Sequence, residues 1–267
     1  MKLDGCNALI TGASAGIGRE FACQLASRAK SLILIARREQ RLNDLCGKLE
    51  QQYPNIAVFL RKTDLADPVQ LNELLAWLDR ASIDVDLLIN NAGLGDSGAF
   101  ATSDPIRNEQ MTLVNVVALT RLTRHLLPRM ITQRRGGILN VSSSAGFLPI
   151  PDFAVYAATK AYVTSFSEAL RAELRGTGVS VCALCPGPVH TEFQEVAKRQ
   201  GAQPDTGPEF VFVSVEEVVH DALTALEADR PLVIPGFPMK LGMFLVRITP
   251  MPILRFISRF SPRRRTA

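Results

Sequence analysis

Two side chains four residues apart, Tyr156 and Lys160, stand behind three adjacent serines, Ser142, Ser143 and Ser144, in the segment ILNVSSSAGFLPIPDFAVYAATK. In a helix that spacing puts a phenol and an ammonium on one face, about one turn apart. An isolated phenol ionises near pH ~10, and a neighbouring cation favours its anion, moving it toward the range where a proton can be given or taken. Tyr156 is therefore a candidate acid/base, with Lys160 as the group expected to lower its pKa. Many such pairs are merely solvated helix surface, so the elements that would hold this one decide its meaning.

Those elements alternate. Apolar runs at residues 8–10, 31–36, 56–60, 86–89, 138–141, 179–184 and 232–234 are separated by segments with helical periodicity, and no linker or internal repeat divides the chain. With 267 residues, 47% of them hydrophobic, the chain can bury one sizeable core. The pattern predicts an α/β fold: a single-domain, doubly wound parallel sheet of about seven strands with helices on both faces. A long helix is expected from about residue 104 to 135, with Asn115 a lone polar residue among apolar neighbours. A buried asparagine must be hydrogen-bonded, so Asn115 is either a structural bracket or part of a water relay.

The first apolar run ends in TGASAGIG, with Gly12, Gly16 and Gly18 ahead of a helical pattern. Strand, glycine turn and helix N-terminus together suit a pyrophosphate, because glycines allow close backbone approach and the first N–H groups of the helix are free. After the second run, where an NAD site would place an acid, the chain places Arg37 and Arg38. Guanidinium groups there suit a 2′-phosphate, so NADP(H) is the expected cofactor. Asp64, past the third run, would accept from an adenine amino group or belong to its own turn. Asn90, Asn91, Ala92 and Gly93 follow the fourth run and are expected to brace the sheet beside the cofactor. Pro186 and Gly187 fix a turn after the sixth, and residues 187–213 are expected to form a substrate loop.

Taken together, T-G-x-x-x-G-I-G at Thr11 to Gly18, Asp64, Asn90-Asn91-Ala92-Gly93, Asn115, Ser143 thirteen residues before Tyr156, Tyr156-x-x-x-Lys160, and Pro186-Gly187 followed by Thr191 resemble the short-chain dehydrogenase/reductase family. The resemblance covers roughly residues 4–235. It implies a Rossmann-like fold and a carbonyl/alcohol oxidoreductase with Tyr156 as acid/base. Lys160 would lower its pKa and bind the nicotinamide ribose, Ser143 would polarise the carbonyl, and Asn115 would hold a relay water. The cofactor positions it implies are Gly12, Ser14, Gly16, Ile17, Gly18, Arg37, Arg38, Asp64, Asn91, Ala92, Gly93, Tyr156, Lys160, Pro186, Gly187, Val189 and Thr191, the last near the carboxamide. Ser142 and Ser144 are left as turn residues. A homo-oligomer paired through the two long helices is also implied.

Other chemistries are weaker. His125, His190 and His220 have no evident partner in the sequence and there is no G-x-S-x-G elbow, which disfavours a serine hydrolase. Cys182 and Cys185 lie in a strand-like run without a second ligand pair, so core thiols rather than a metal site are expected. Five scattered cysteines and an N-terminus without a signal-peptide pattern suggest a reducing, cytoplasmic setting. The rival of a different class is a non-catalytic NADP-binding sensor or scaffold.

Charge is unevenly spread: residues 1–230 carry a net −3, and residues 231–267 carry seven basic and no acidic side chains. An acidic body argues against a nucleic-acid-binding face. The tail, residues 236–267, is amphipathic, with Ile253, Phe256, Ile257 and Phe260 on one helical face and Arg255 and Arg259 on another. Packing on the body, capping the substrate pocket, docking on a partner subunit or attaching to an anionic membrane surface all suit it, and peripheral membrane contact is the hypothesis that its charge motivates. Phe147, Leu148, Ile150, Phe193 and Phe210 are expected near the substrate and favour a hydrophobic ketone, aldehyde or 3-oxoacyl group.

Overall fold

Strand β1 (Asn7–Thr11) shows how the core is divided: Ala8 and Ile10 pack on one side of the sheet and Leu9 on the other. In β2 (Ser31–Ala36) all six residues are buried, Leu32 and Leu34 joining the first layer and Ile33 and Ile35 the second. Continuous apolar runs of this kind belong to strands covered on both faces. The computed structural model describes residues 1–81, 83–197 and 209–258.

The remaining strands are β3 (Ala57–Lys62), β4 (Leu87–Asn90), β5 (Gly136–Val141), β6 (Val179–Leu184) and β7 (Leu232–Val233). All pair in parallel, in the order β3-β2-β1-β4-β5-β6-β7. The chain therefore winds outward from β1 in one direction and from β4 in the other. In such sheets ligands bind at the carboxyl ends of the strands flanking that reversal.

Helices α1 (Gly16–Leu25), α2 (Glu39–Gln52) and α8 (Val215–Glu227) cover the first layer. On the second lie α3 (Pro68–Ala81), α4 (Pro105–Thr112), α5 (Leu119–Thr132) and α6 (Ala154–Glu173). Between them in sequence stand the short α7 (Glu192–Ala197) and a 3₁₀ turn, Glu209–Val211. The rest of the expected substrate loop, including Gly201, Pro204, Gly207 and Pro208, lies outside the described residues.

Two expectations change in detail. The strand expected over residues 138–141 begins two residues earlier: Gly136 and Gly137 are the first residues of β5 and pair with Val179 and Ser180. The long helix expected over residues 104–135 is capped by Asp104, whose carboxylate accepts from the Ile106 N–H at 2.9 Å, but a π-helical segment, Leu113–Ala118, separates α4 from α5. Asn115 sits in that segment, and π turns are over-represented at functional sites.

Inside the sheet, Asn90 donates to Asn140 at 2.8 Å and to Thr123 at 3.0 Å, while Asn140 donates to Ser167 at 2.9 Å. This buried ladder ties β4 and β5 to α5 and α6 directly below the strand ends. The tail forms α9 (Phe237–Ile248) and α10 (Met251–Ser258), broken at Pro250, with Phe260 outside the described residues. Among the described residues no helix is long and apolar enough to cross a membrane.

Candidate active site

Close approach of backbone explains the glycine turn. A Cβ on Gly12, whose φ is +68°, would come within 2.9 Å of the Ala92 Cα, and one on Gly18 would stand 2.3 Å from both the Gly12 carbonyl oxygen and the Asn91 amide nitrogen. The turn is pressed onto the 91–93 segment, and Thr11 rivets the two together. Its hydroxyl accepts from the Asn91 and Ala92 N–H groups, each at 3.0 Å, while the Asn91 side chain donates to the Thr11 carbonyl at 2.8 Å. The bracing expected of Asn91 is thus observed, and Thr11 is the partner that the sequence reading passed over.

A cavity of about 540 Å³ runs from this turn to the serine cluster. Gly12, Ser14, Gly16, Ile17, Arg37, Arg38 and Asp64 line one end with Thr191 against Gly16, Asn91, Ala92 and Gly93 the floor, and Ser143, Tyr156, Lys160, Pro186, Gly187 and Val189 the other end. Gly18 and Asn115 lie behind the lining. Helix α1 begins at the cavity with no side-chain cap and no acidic residue in its first turn, so its free N–H groups suit an anionic group such as a pyrophosphate.

At the serine end β5 and α6 act together. The Lys160 ammonium, 4% exposed, donates to the carbonyl of Val141 at 2.8 Å and lies 5.7 Å from the Tyr156 ring centroid. Ser142 is turned away from chemistry: its hydroxyl donates to the Lys160 carbonyl at 2.8 Å and meets Thr164 at 2.7 Å, pinning α6 to the strand. Ser144 opens a 3₁₀ turn, Ser144–Phe147, and donates from its N–H to Pro186 at 2.9 Å. Ser143 lines the cavity near the Tyr156 phenol, and its hydroxyl oxygen accepts from the Ala145 N–H at 3.1 Å.

The electrostatics correct one expectation. Burial pushes the Tyr156 phenol up to about 12 rather than down, opposed in part by Ser143. Burial also brings Lys160 down to about 8, with the nearby Cys185 thiol pulling slightly the other way. Desolvation is the largest cause of both shifts, because both groups have lost their water.

Asn115 is buried in the π segment and brackets the strand end: its Oδ1 accepts from the Leu94 N–H at 2.8 Å and its Nδ2 donates to the Leu94 carbonyl and the Thr159 hydroxyl, each at 3.0 Å. Removing it would orphan these groups at a cost of about 1–3 kcal/mol each. A Cβ on Gly93 would lie 3.6 Å from the Asn115 Oδ1 and 3.5 Å from the Lys160 Nζ, so both groups stand close to Gly93.

At the arginine end Arg37 stands 3.9 Å from Asp64, which also holds its own turn by accepting from the Ala66 N–H. Arg38 donates to the Ser14 hydroxyl at 3.3 Å and to Glu192 at 2.8 Å, and Arg41 reaches the same carboxylate at 2.7 Å. Arg41 and Glu192 were not singled out from the sequence. Arg41 is three residues past Arg38, a helical spacing that could have signalled it, whereas Glu192 is joined to both only by folding.

The family model for short chain dehydrogenases matches residues 6–201. The chain belongs to that family. This short-chain dehydrogenase is 37% identical over 198 residues to an NADP-dependent 3-hydroxy acid dehydrogenase of Schizosaccharomyces pombe, covering 73% of this chain and 76% of that protein. It is 35% identical over 206 residues to a very-long-chain 3-oxoacyl-CoA reductase of Phaeosphaeria nodorum, covering 75% of this chain and 60% of that one. The structure of a short-chain dehydrogenase from Sphingobium yanoikuyae in complex with NADPH superimposes with a TM-score of 0.82 at 31% identity, covering 98% of each chain.

Other features of the short-chain dehydrogenase concern the histidines, cysteines and apolar side chains noted in the sequence. His125 pairs with Asp79 at 3.0 Å and His190 with Glu209 at 3.1 Å, so both have the partners that the sequence did not reveal, but neither is joined to a serine. Cys182 and Cys185 are buried free thiols whose burial raises them to about 12 and about 11, and no cluster of metal-ligating residues occurs among the described residues. Ile150 and Phe193 line the cavity as expected, and Phe193 packs on Tyr156 with ring centroids 5.6 Å apart. Phe147, Leu148 and Phe210 do not line it. Phe147 lies instead under the Arg247 guanidinium, and Phe210 faces solvent.

Proposed function

We propose that the chain is an NADP(H)-dependent reductase of hydrophobic ketones, aldehydes or 3-oxoacyl groups, interconverting a carbonyl and a secondary alcohol. One observation carries the reading: a single cavity has the glycine turn and Arg37 and Arg38 at one end and Ser143, Tyr156 and Lys160 at the other. Arg37 and Arg38 just past β2, where an NAD site would place an acid, support NADP(H) over NAD(H). Apolar Ile150, Phe153, Phe193 and Val196 around Tyr156 support an apolar substrate.

Bound across the cavity, the dinucleotide supplies the hydride. The side chains of the protein handle the oxygen and its proton. Ser143 donates a hydrogen bond to the carbonyl oxygen, and Tyr156, held neutral by burial, gives that oxygen its proton. Lys160, charged below pH about 8, stabilises the phenolate left behind and reaches the ribose hydroxyls. Asn115, which like Lys160 stands close to Gly93, holds a water from which Tyr156 is reprotonated. Thr191, over the glycine turn, meets the carboxamide.

In this reading residues 1–235 are the catalytic unit, with 187–213 as its substrate segment, and 236–267 an appended basic tail that contacts a membrane surface. Two copies pair through α4–α5 and α6, where Val117 and Tyr162 are exposed. Five free cysteines support a reducing, cytoplasmic setting.

The test is NADPH oxidation against a panel of ketones, steroids and 3-oxoacyl thioesters, with NADH as comparison. Tyr156→Phe should lower kcat by roughly 10²–10⁴-fold while NADPH binding stays unchanged. Full activity in that variant, or a strong preference for NADH, would overturn the assignment.

A further inference from the structure

Helix α9 is apolar on two opposite faces, and one of them is covered. Met239, Met243 and Val246 are half-buried toward the body, Met239 so closely that a Cβ on Gly187 would come within 2.6 Å of its methyl carbon. Arg247 lies over the Phe147 ring, its guanidinium carbon 5.7 Å from the centroid, and 3.8 Å from Glu168. On the other face Phe237, Leu241, Phe244, Leu245 and Ile248 recur at helical spacing and are 48–77% exposed. Met251 and Ile253 extend the exposed apolar surface into α10. A helix that is apolar all round is normally buried on every side.

We propose that this outer face seats on a membrane leaflet containing anionic lipid, with the substrate end of the cavity beside the lipid surface. The proposal rests on the reductase reading and adds where its substrate comes from. Charge selects the occupant: residues 231–267 carry seven basic and no acidic side chains, whereas the rest of the chain is net negative. Such a face gains both from apolar burial and from attraction to anionic headgroups. A second copy on the same face would bring two +7 tails together, which like-charge repulsion opposes. Neither α9, with 12 residues, nor α10, with 8, can span a bilayer, so both lie in the plane of the interface.

The covered face of α9 ties this surface to the site. It rests on Gly187 and on the turn Ser144–Phe147, which follows Ser143 directly. A carbonyl on a long apolar chain dissolved in the leaflet then has a short path to Ser143 and Tyr156. The substrate class is a lipid-borne ketone or acyl carbonyl rather than a freely soluble metabolite.

Full-length protein is sedimented with phosphatidylcholine vesicles, with and without phosphatidylserine. Binding to the phosphatidylserine vesicles that weakens as salt rises is expected. Leu241→Asp/Phe244→Asp should abolish it, and Lys240→Glu should weaken it roughly fivefold or more. NADPH affinity, unchanged in both variants, shows that they fold. Absence of wild-type vesicle binding overturns the proposal. So does a concentration-dependent dimer that the double variant breaks while vesicles recover nothing, since the face would then belong to a second copy. Turnover is read separately: vesicle binding without turnover of any carbonyl sinks the reductase reading alone, and turnover without vesicle binding sinks the docking alone.

Discussion

Tyr156 and Lys160 are both driven toward their neutral forms by burial, and this sets a direction for the chemistry. A phenol held up at about 12 keeps its proton through the physiological range and is ready to give it, which suits carbonyl reduction. The weak point is Lys160, whose ammonium is present below about 8 and lost above it. The kcat/KM for reduction should therefore hold through neutral pH and fall as pH rises through about 8, with no loss traceable to Tyr156 in that range. A profile flat to pH 10 would show that the lysine charge is not needed. The spacing of the two residues was legible in the sequence because it needs only one helical turn. Their desolvation was not, because it depends on how Val141 at the end of β5, Phe153 at the N-cap of α6 and Phe193 in α7 are folded around them.

Helix α7 joins the two ends of the cavity with consecutive residues. Glu192 pairs with Arg38 and Arg41, and Phe193 packs on Tyr156. A carboxylate seated between those arginines opposes any phosphate that approaches them. Glu192→Gln should tighten NADPH by about threefold at low salt, as expected for exposed ion pairs, and leave NADH nearly unchanged. Equilibrium fluorescence titration with both cofactors measures this, and weaker NADPH binding in the variant would mean that Glu192 instead holds the arginines in place. The arginines could be read from the end of β2, since they stand where the strand meets the cofactor. Glu192 could not, because it meets Arg38 across 154 residues of chain and no local periodicity records that contact.

For the molecule as a whole, alternation of apolar runs with helical segments was enough to read a doubly wound parallel sheet, and β2 and β6 fall on the expected residues. What alternation could not reveal is which side chains turn toward the cavity from irregular segments, so Phe147 and Phe210 were misplaced while Ile150 and Phe193 were not. The π segment at Leu113–Ala118 was also invisible, because its residues are as apolar as an ordinary helix. It has a consequence for lineage as well as for fold. A π turn holds one residue more than an α turn, so everything after it is offset by about 100° from where an uninterrupted helix would put it. Leu122, Leu126 and Met130 follow the segment and are buried in the core, and losing one residue before them would turn them off it by the same angle. The segment is thus a counting device in which chain length is itself the constraint. Deleting Val117 should abolish cooperative urea unfolding, whereas Val117→Ala should move the midpoint only slightly. Along a line of descent, substitutions should accumulate here while a single-codon deletion is purged.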